Sequence, residues 1–261
     1  MEISNFSILH PIFKSHHNLL PRNLRALIVG KSSCGKSTLL YNLLLKPWLD
    51  YENLIVFGKS LHQGEYQIIK SGFEHGLSKE QIANTFNNQE QLLLDGMTPL
   101  DAIEKYDGPK STNITTKFLD DCTKIPDPSE LDPKTKHLMV FDDCFLGKQS
   151  KSEAYYTRGR HNFCDTIFLS QNYFRLPRQT IRENCNFLML FQQDTKNLNH
   201  IHADHCSDIP LEEFRSFCKN VWKTKHVFVT IDLTSGIDNG KYRKNLDTFY
   251  IPNILLVPDK K

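Results

Sequence analysis

The sequence has no apolar run near the roughly 18 residues that a membrane-spanning helix needs, so no membrane span is expected. Met1 to Leu20 does not join a basic start to an apolar core, which excludes the pattern of a secretory signal. Paired C-x-x-C cysteines are absent. The seven cysteines are scattered, which argues against a four-cysteine zinc site and a disulfide framework and fits a reducing compartment. A dominant charge is missing too. With a net charge of +2, any anionic partner must be met by local patches. There is no internal repeat and no low-complexity tract. What remains is 261 residues, 39% hydrophobic and 24% charged, enough for one large α/β domain or two small ones and for a sizeable core.

The most informative stretch is Gly30-Lys31-Ser32-Ser33-Cys34-Gly35-Lys36-Ser37-Thr38. It fits G-x-x-x-x-G-K-[ST] at every fixed position. An apolar run, Leu24 to Val29, precedes it, and Leu39, Leu40, Leu43 and Leu44 follow at helical spacing. This is the strand, glycine loop and helix that a phosphate-binding loop requires. The glycines let successive N–H groups turn inward toward phosphate oxygens, and the helix adds its positive end. Lys36 is expected to reach the β- and γ-phosphates of a nucleoside triphosphate, with the Ser37 hydroxyl on Mg²⁺.

Read in order, the chain alternates strands and helices. Strands are expected at Leu24–Val29, Leu54–Phe57, His137–Phe141, Thr166–Leu169 and Phe187–Phe191, with a helix from Lys36 to about Leu45 that Pro47 stops. Residues 60–136 read as a helical insertion between the second and third core strands. Ser78-Lys79-Glu80-Gln81 has the capping-box pattern for a helix over 79–95, Thr98-Pro99 opens another, and the proline-dotted 107–136 reads mostly as loop. Helices are expected at 196–206 and 211–223, a late strand within His226–Leu233, and a hairpin return through Lys241–Asn245. The fold class that follows is α/β: a doubly wound, mostly parallel sheet with helices on both faces and a C-terminal β-hairpin, in one domain of 1–261 with 1–23 as a lead-in. Ligands of such sheets sit at the carboxyl ends of the strands.

Two further groups fall at those ends. The third strand stops on Asp142-Asp143. Asp142 is expected to hold Mg²⁺ through its water shell, and Asp143 to orient or deprotonate the attacking water. The alternative is a pair of solvated turn residues. Gln171 ends the fourth strand, where a polar tip between the loop strand and the acidic strand can reach the γ-phosphate or the water; a simple strand-exit turn is the alternative. Arg158 and Arg160 suit an arginine finger acting on a neighbour's nucleotide, or a basic surface loop. Residues 151–182 hold six Lys/Arg against two Asp/Glu, an excess that suits DNA phosphates or a solvated face. Lys241, Arg243, Lys244, Lys260 and Lys261 are weaker candidates of the same kind. His200, His202, His205 and Cys206 crowd together but lack the distant second ligand pair of a zinc site. Cys34 occupies a variable position of the loop.

Several stretches together resemble one family: Gly30–Thr38, Phe141-Asp142-Asp143, Arg158-Gly159-Arg160-His161, Phe168 to Phe174 with Leu176-Pro177, Ile181-Arg182-Glu183-Asn184, Ile231 to Thr234, and Lys241 to Asn245. The series resembles the poxvirus-type genome-packaging ATPases of large DNA viruses, virophages and Maverick/Polinton elements, within the FtsK–HerA superfamily of P-loop NTPases. It spans roughly 24–250; the segment 60–135 matches no pattern. The resemblance implies a homo-oligomeric ring, pentamer or hexamer, that uses ATP to thread double-stranded DNA into a preformed capsid. It implies capsid proteins as partners and a virus-infected host cell, cytoplasm or nucleus, as the setting. It implies the roles above for Lys36, Ser37, Asp142, Asp143 and Gln171, and a finger at Arg158 or Arg160. Many superfamily members carry Glu where this chain has Asp143, a side chain one methylene longer. The competing reading is a nucleotide or small-molecule kinase, with Arg175, Arg178 and Arg182 as a lid over phosphates. A GTPase is disfavoured by the lack of an Asn-Lys-x-Asp sequence.

Overall fold

Burial on both faces turns the most apolar runs of the chain into its central strands. The computed structural model describes residues 13–144 and 150–252. Strands β1 (Arg25–Val29), β2 (Asn53–Gly58), β3 (Thr115–Leu119), β4 (His137–Asp142), β5 (Cys164–Ser170) and β6 (Phe187–Leu190) run parallel, and β7 (Val229–Asp232), β8 (Tyr242–Lys244) and β9 (Thr248–Tyr250) continue antiparallel. The sheet order is β3-β2-β4-β5-β1-β6-β7-β8-β9. β5 therefore lies between the strand that enters the glycine loop and the strand that ends in the acid pair.

Strand residues alternate between two cores, as the period of two requires. Ala26, Ile28, Val56, Val140 and Ile167 face helices α1 (Lys36–Leu45), α2 (Gly64–Glu74), α3 (Lys79–Asn87) and α5 (Pro99–Glu104). Leu27, Val29, Met139, Phe141 and Phe168 face α6 (Ser150–Arg158), α7 (Thr195–His205) and α8 (Leu211–Val221). Helices thus cover both faces, and the C-terminal strands form a hairpin-like extension. Trp222 Nε1 donates to Leu190 O at 2.9 Å and anchors the end of α8 to β6.

The segment 60–136 departs from its reading in two ways. It contains β3, which pairs in register with β2 from Asn53↔Thr115 to Phe57↔Leu119, where loop was expected. None of the five β3 residues is buried, because β3 is the edge strand, so it carries no apolar run. The expected helix over 79–95 is two: α3 ends and α4 (Gln89–Leu94) begins at Asn88, whose φ of −99° and ψ of 11° break the helix. Asn is a weak helix former that serves better as a cap. The capping boxes at Ser78 and Thr98 are both formed.

Candidate functional site

Hydrogen bonds tie three strand tips together at one end of the sheet. Gly30 N, leaving β1, donates to Ser170 O of β5 at 3.0 Å, and Asp143 N, leaving β4, donates to Leu169 O at 3.2 Å. The glycine loop, the acid pair and Gln171 are thereby neighbours, as their positions in the sequence predict. Gln171 Nε2 donates to Asp143 Oδ2 at 2.6 Å. Asp143 holds a left-handed φ of 47°, uncommon for a residue other than glycine. That backbone turn brings its carboxylate to the tip of the adjacent strand.

The loop is built for close approach. A Cβ on Gly30 would lie 2.6 Å from Cys34 Sγ and 2.7 Å from Phe191 Cβ, so only glycine fits. Gly35 takes φ 110° as the N-cap of α1, and Ser33 takes φ 59°. No side chain caps α1 and no acid stands in its first turn, which leaves its positive end turned to the loop. Lys36 Nζ donates to Gly30 O at 2.7 Å and Lys31 O at 2.8 Å. Burial raises the Cys34 thiol above its ordinary value, although Lys36 pulls the other way; nothing here makes it a nucleophile.

Asp142 is the electrostatically costly group. Burial raises its carboxyl above the ordinary value and Asp143 adds to this, while a hydrogen bond from Tyr66 and the charge of Lys36 oppose it. Tyr66 Oη donates to Asp142 Oδ2 at 2.7 Å. The Tyr41 hydroxyl is buried without a hydrogen-bond partner, among Asp142, Tyr66 and Ser37. A half-buried carboxylate, a serine hydroxyl and a buried phenol are a hard oxygen donor set that fits a hydrated Mg²⁺. Tyr41 stands one helical turn beyond Ser37 and was within reach of the helical spacing. Tyr66 belongs to the segment 60–135 that matches no pattern, and it carried no signal.

Beside Gly35 a cavity of about 480 Å³ is lined by Thr38, Leu39, Asn42, Phe191, His226 and Phe228. His226, which sequence reasoning passed over, meets Cys34 O through Nδ1 at 3.2 Å with its own φ at 61°.

Other candidates are placed elsewhere. Arg158 and Arg160 lie at the opposite end of the sheet. Arg158 pairs with Asp127 at 3.0 Å, and the charge of Arg160 acts on Arg25 at the start of β1. The length of β5 puts them roughly 20 Å from Gln171. Arg243 is 2% exposed and bonds Asp232, Gly240 O and Leu19 O, so it fastens the hairpin and faces no DNA. Lys241 is paired with Asp208; Lys260 and Lys261 lie outside the described residues. The lid of the kinase reading is largely committed, Arg182 to Asp204 at 2.9 Å and Arg178 to Glu183 at 3.2 Å. The histidines diverge: His200 stacks on Phe174, His202 bonds Ile209 O, and His205 bonds Tyr173. Among the described residues, no group of three or more His, Cys, Asp or Glu is placed to hold a metal, and no helix is long and apolar enough to cross a membrane.

No protein-family model matches the sequence, and no curated protein matches it. Solved structures do. The genome packaging NTPase B204 from Sulfolobus turreted icosahedral virus 2, in complex with AMP, superposes with a TM-score of 0.50 at 11% identity, over 85% of this chain and 96% of that one. The same protein with AMPPCP gives 0.47 at 10% identity, over 81% and 93%. VirB4 of Thermoanaerobacter pseudethanolicus gives 0.47 at 12% identity, over 90% and 91%. The likeness to AMP-bound B204 shows that this chain shares its α/β fold.

Proposed function

We propose that the chain is an ATP-hydrolysing motor subunit, which forms a homo-oligomeric ring and drives double-stranded DNA into a preformed viral capsid within an infected cell. The observation that carries this reading is the 2.6 Å contact between Gln171 and Asp143, set beside the loop that Lys36 closes. In it, a carboxylate able to take a proton and an amide able to sense a phosphate are one unit. The fold shared with the AMP-bound packaging NTPase B204 supports it.

In this reading the loop amides of 30–36 and the α1 end bind the triphosphate. Lys36 gives up its bonds to Gly30 O and Lys31 O and turns to the β- and γ-phosphates. The cavity beside Gly35 takes the nucleoside. Ser37 and Asp142 hold Mg²⁺, which supplies positive charge against the phosphate oxygens when bound. Asp143 accepts the proton of the attacking water, and Gln171 orients that water and registers the outermost phosphate. The capsid and the DNA are the partners this function requires.

The test is ATP turnover by the purified chain. Hydrolysis is expected to rise more than linearly with protein concentration and to rise again with duplex DNA. Lys36→Ala is expected to abolish it while leaving the circular dichroism spectrum unchanged. Full turnover in a monomer indifferent to DNA would overturn the motor, and retained turnover in Lys36→Ala would overturn the site.

A further inference from the structure

Beyond Gln171 the chain leaves β5 through a tight turn. Ser170 Oγ donates to Asn172 O at 2.9 Å, and Phe174 N donates to Asn172 Oδ1 at 2.9 Å. Tyr173 goes fully into the core, and the next ring, Phe174, is left 51% exposed. One side of that ring is supported by His200, with centroids 4.5 Å apart and planes 29° off parallel. Lys196 Nζ stands 5.5 Å from its centroid. Arg175, the next residue, is exposed, as is Lys196.

The surrounding acids are committed. Glu183 is paired with Arg178, Asp204 with Arg182, and Asp194 caps α7 by accepting from Asn197 N. Arg175 and Lys196 make no ion pair among the described residues. Lys196 sits in the first turn of α7, two residues after the N-cap Asp194. The ring is flanked by Lys196 at 5.5 Å and by Arg182 at 5.7 Å, so a half-exposed apolar face stands in positive surroundings, with Arg175 next to it in the chain. It suits a polymer that alternates anionic phosphates with apolar sugar faces.

We propose that Phe174, Arg175 and Lys196 grip the sugar–phosphate backbone of duplex DNA. Arg175 and Lys196 contact phosphates, and Phe174 lies against deoxyribose while holding the Lys196 ammonium in place. This rests on the reading of the chain as a DNA motor and adds the surface that meets the DNA. The grip lies three residues from Gln171, so strand contact and the nucleotide-sensing tip share one turn.

The test uses the full chain and a fluorescein-labelled duplex of random sequence, titrated over a range of salt. Arg175→Ala and Lys196→Ala are each expected to flatten the slope of log affinity against log salt by about 1, and the double variant by about 2. Phe174→Ala is expected to weaken binding without changing the slope. Lys46→Ala, an exposed lysine at the far end of α1, is the control that leaves binding unchanged. DNA-independent ATP turnover is expected to stay at the wild-type rate throughout. An unchanged slope in the double variant overturns the proposal. So does loss of nucleotide-dependent assembly in sedimentation, which would make the patch a contact between subunits. A wild-type chain that hydrolyses ATP but binds no duplex sinks the grip and the DNA motor together, whereas duplex binding without hydrolysis leaves the grip and sinks the ATPase.

Discussion

Asp142 is a carboxylate kept in the wrong place for stability. Its folded value is raised by burial, so the native state binds its proton more tightly than the unfolded chain does. Stability therefore falls as pH rises from the ordinary carboxylate range through the raised value, and at neutral pH the ionised group is a cost. Asp142→Asn keeps an acceptor for Tyr66 and removes that charge. It is expected to raise the melting temperature of the nucleotide-free protein while abolishing Mg²⁺-dependent hydrolysis; a lower melting temperature would contradict the electrostatic account. Asp143 differs, because its partner is Gln171 and the role proposed for it is on the water. Asp143→Asn is expected to lower kcat by about 10²–10⁴-fold with KM for ATP unchanged, read from steady-state kinetics. These residues were legible because a motif fixes each of them to a strand tip. Tyr66, which bonds Asp142 from another helix, was not, since nothing local to residues 60–136 requires a tyrosine there.

The elements that fasten the site end carry a buried polar network. Tyr173 Oη donates to Asp204 at 2.8 Å, Arg182 Nη1 donates to the same carboxylate, and His205 Nε2 meets Tyr173 Oη at 2.8 Å. It joins the turn after β5 to the π-helical turn Arg178–Arg182 and to α7. Arg182→Ala leaves the buried Asp204 only the exposed Arg178, 3.7 Å away, and is expected to cost about 3 kcal/mol by urea denaturation. Burial holds the His205 imidazole down to about 4, so it stays neutral in the fold while the unfolded chain takes up a proton. That contribution is complete above the ordinary histidine range and is lost as pH falls from about 6.5 toward 4. The protein is expected to lose on the order of 3 kcal/mol across that window. His205→Gln should flatten the loss, and an unchanged acid profile would place it in other groups. In the sequence Arg182 read as part of a basic excess and His205 as one of several crowded histidines, because sequence shows charge but not the partner that neutralises it. Elements with an apolar face were legible: β1, β4, β5, α1, α7 and α8 lie close to where periodicity put them. β3 was hidden because an edge strand needs no apolar run.

At the scale of the whole molecule, the candidate nucleotide site occupies one end of the sheet and Arg158 and Arg160 occupy the other. An arginine there cannot reach its own site across roughly 20 Å of strand. In the proposed ring, a finger there serves a neighbour, through a contact that sets one end of a subunit against a different face of the next. Such head-to-tail contacts are the kind that close into rings. The two arginines are not equivalent. Arg158 is held by Asp127 at 3.0 Å, while Arg160 makes no ion pair among the described residues and shares its surroundings with Arg25, a repulsion that a phosphate would relieve. Arg160 is therefore the expected finger. Alone, Arg160→Ala is expected to reduce hydrolysis by about 10³-fold or more, and Lys36→Ala to abolish it. Mixed, the two should recover part of the activity, because a subunit with an intact loop can sit beside one with an intact arginine. Measured as turnover against mixing ratio, recovery should peak near equal amounts. Strict additivity of two inactive proteins would assign the finger to Arg158 or leave the ring without one, and repeating the mixture with Arg158→Ala decides between those outcomes.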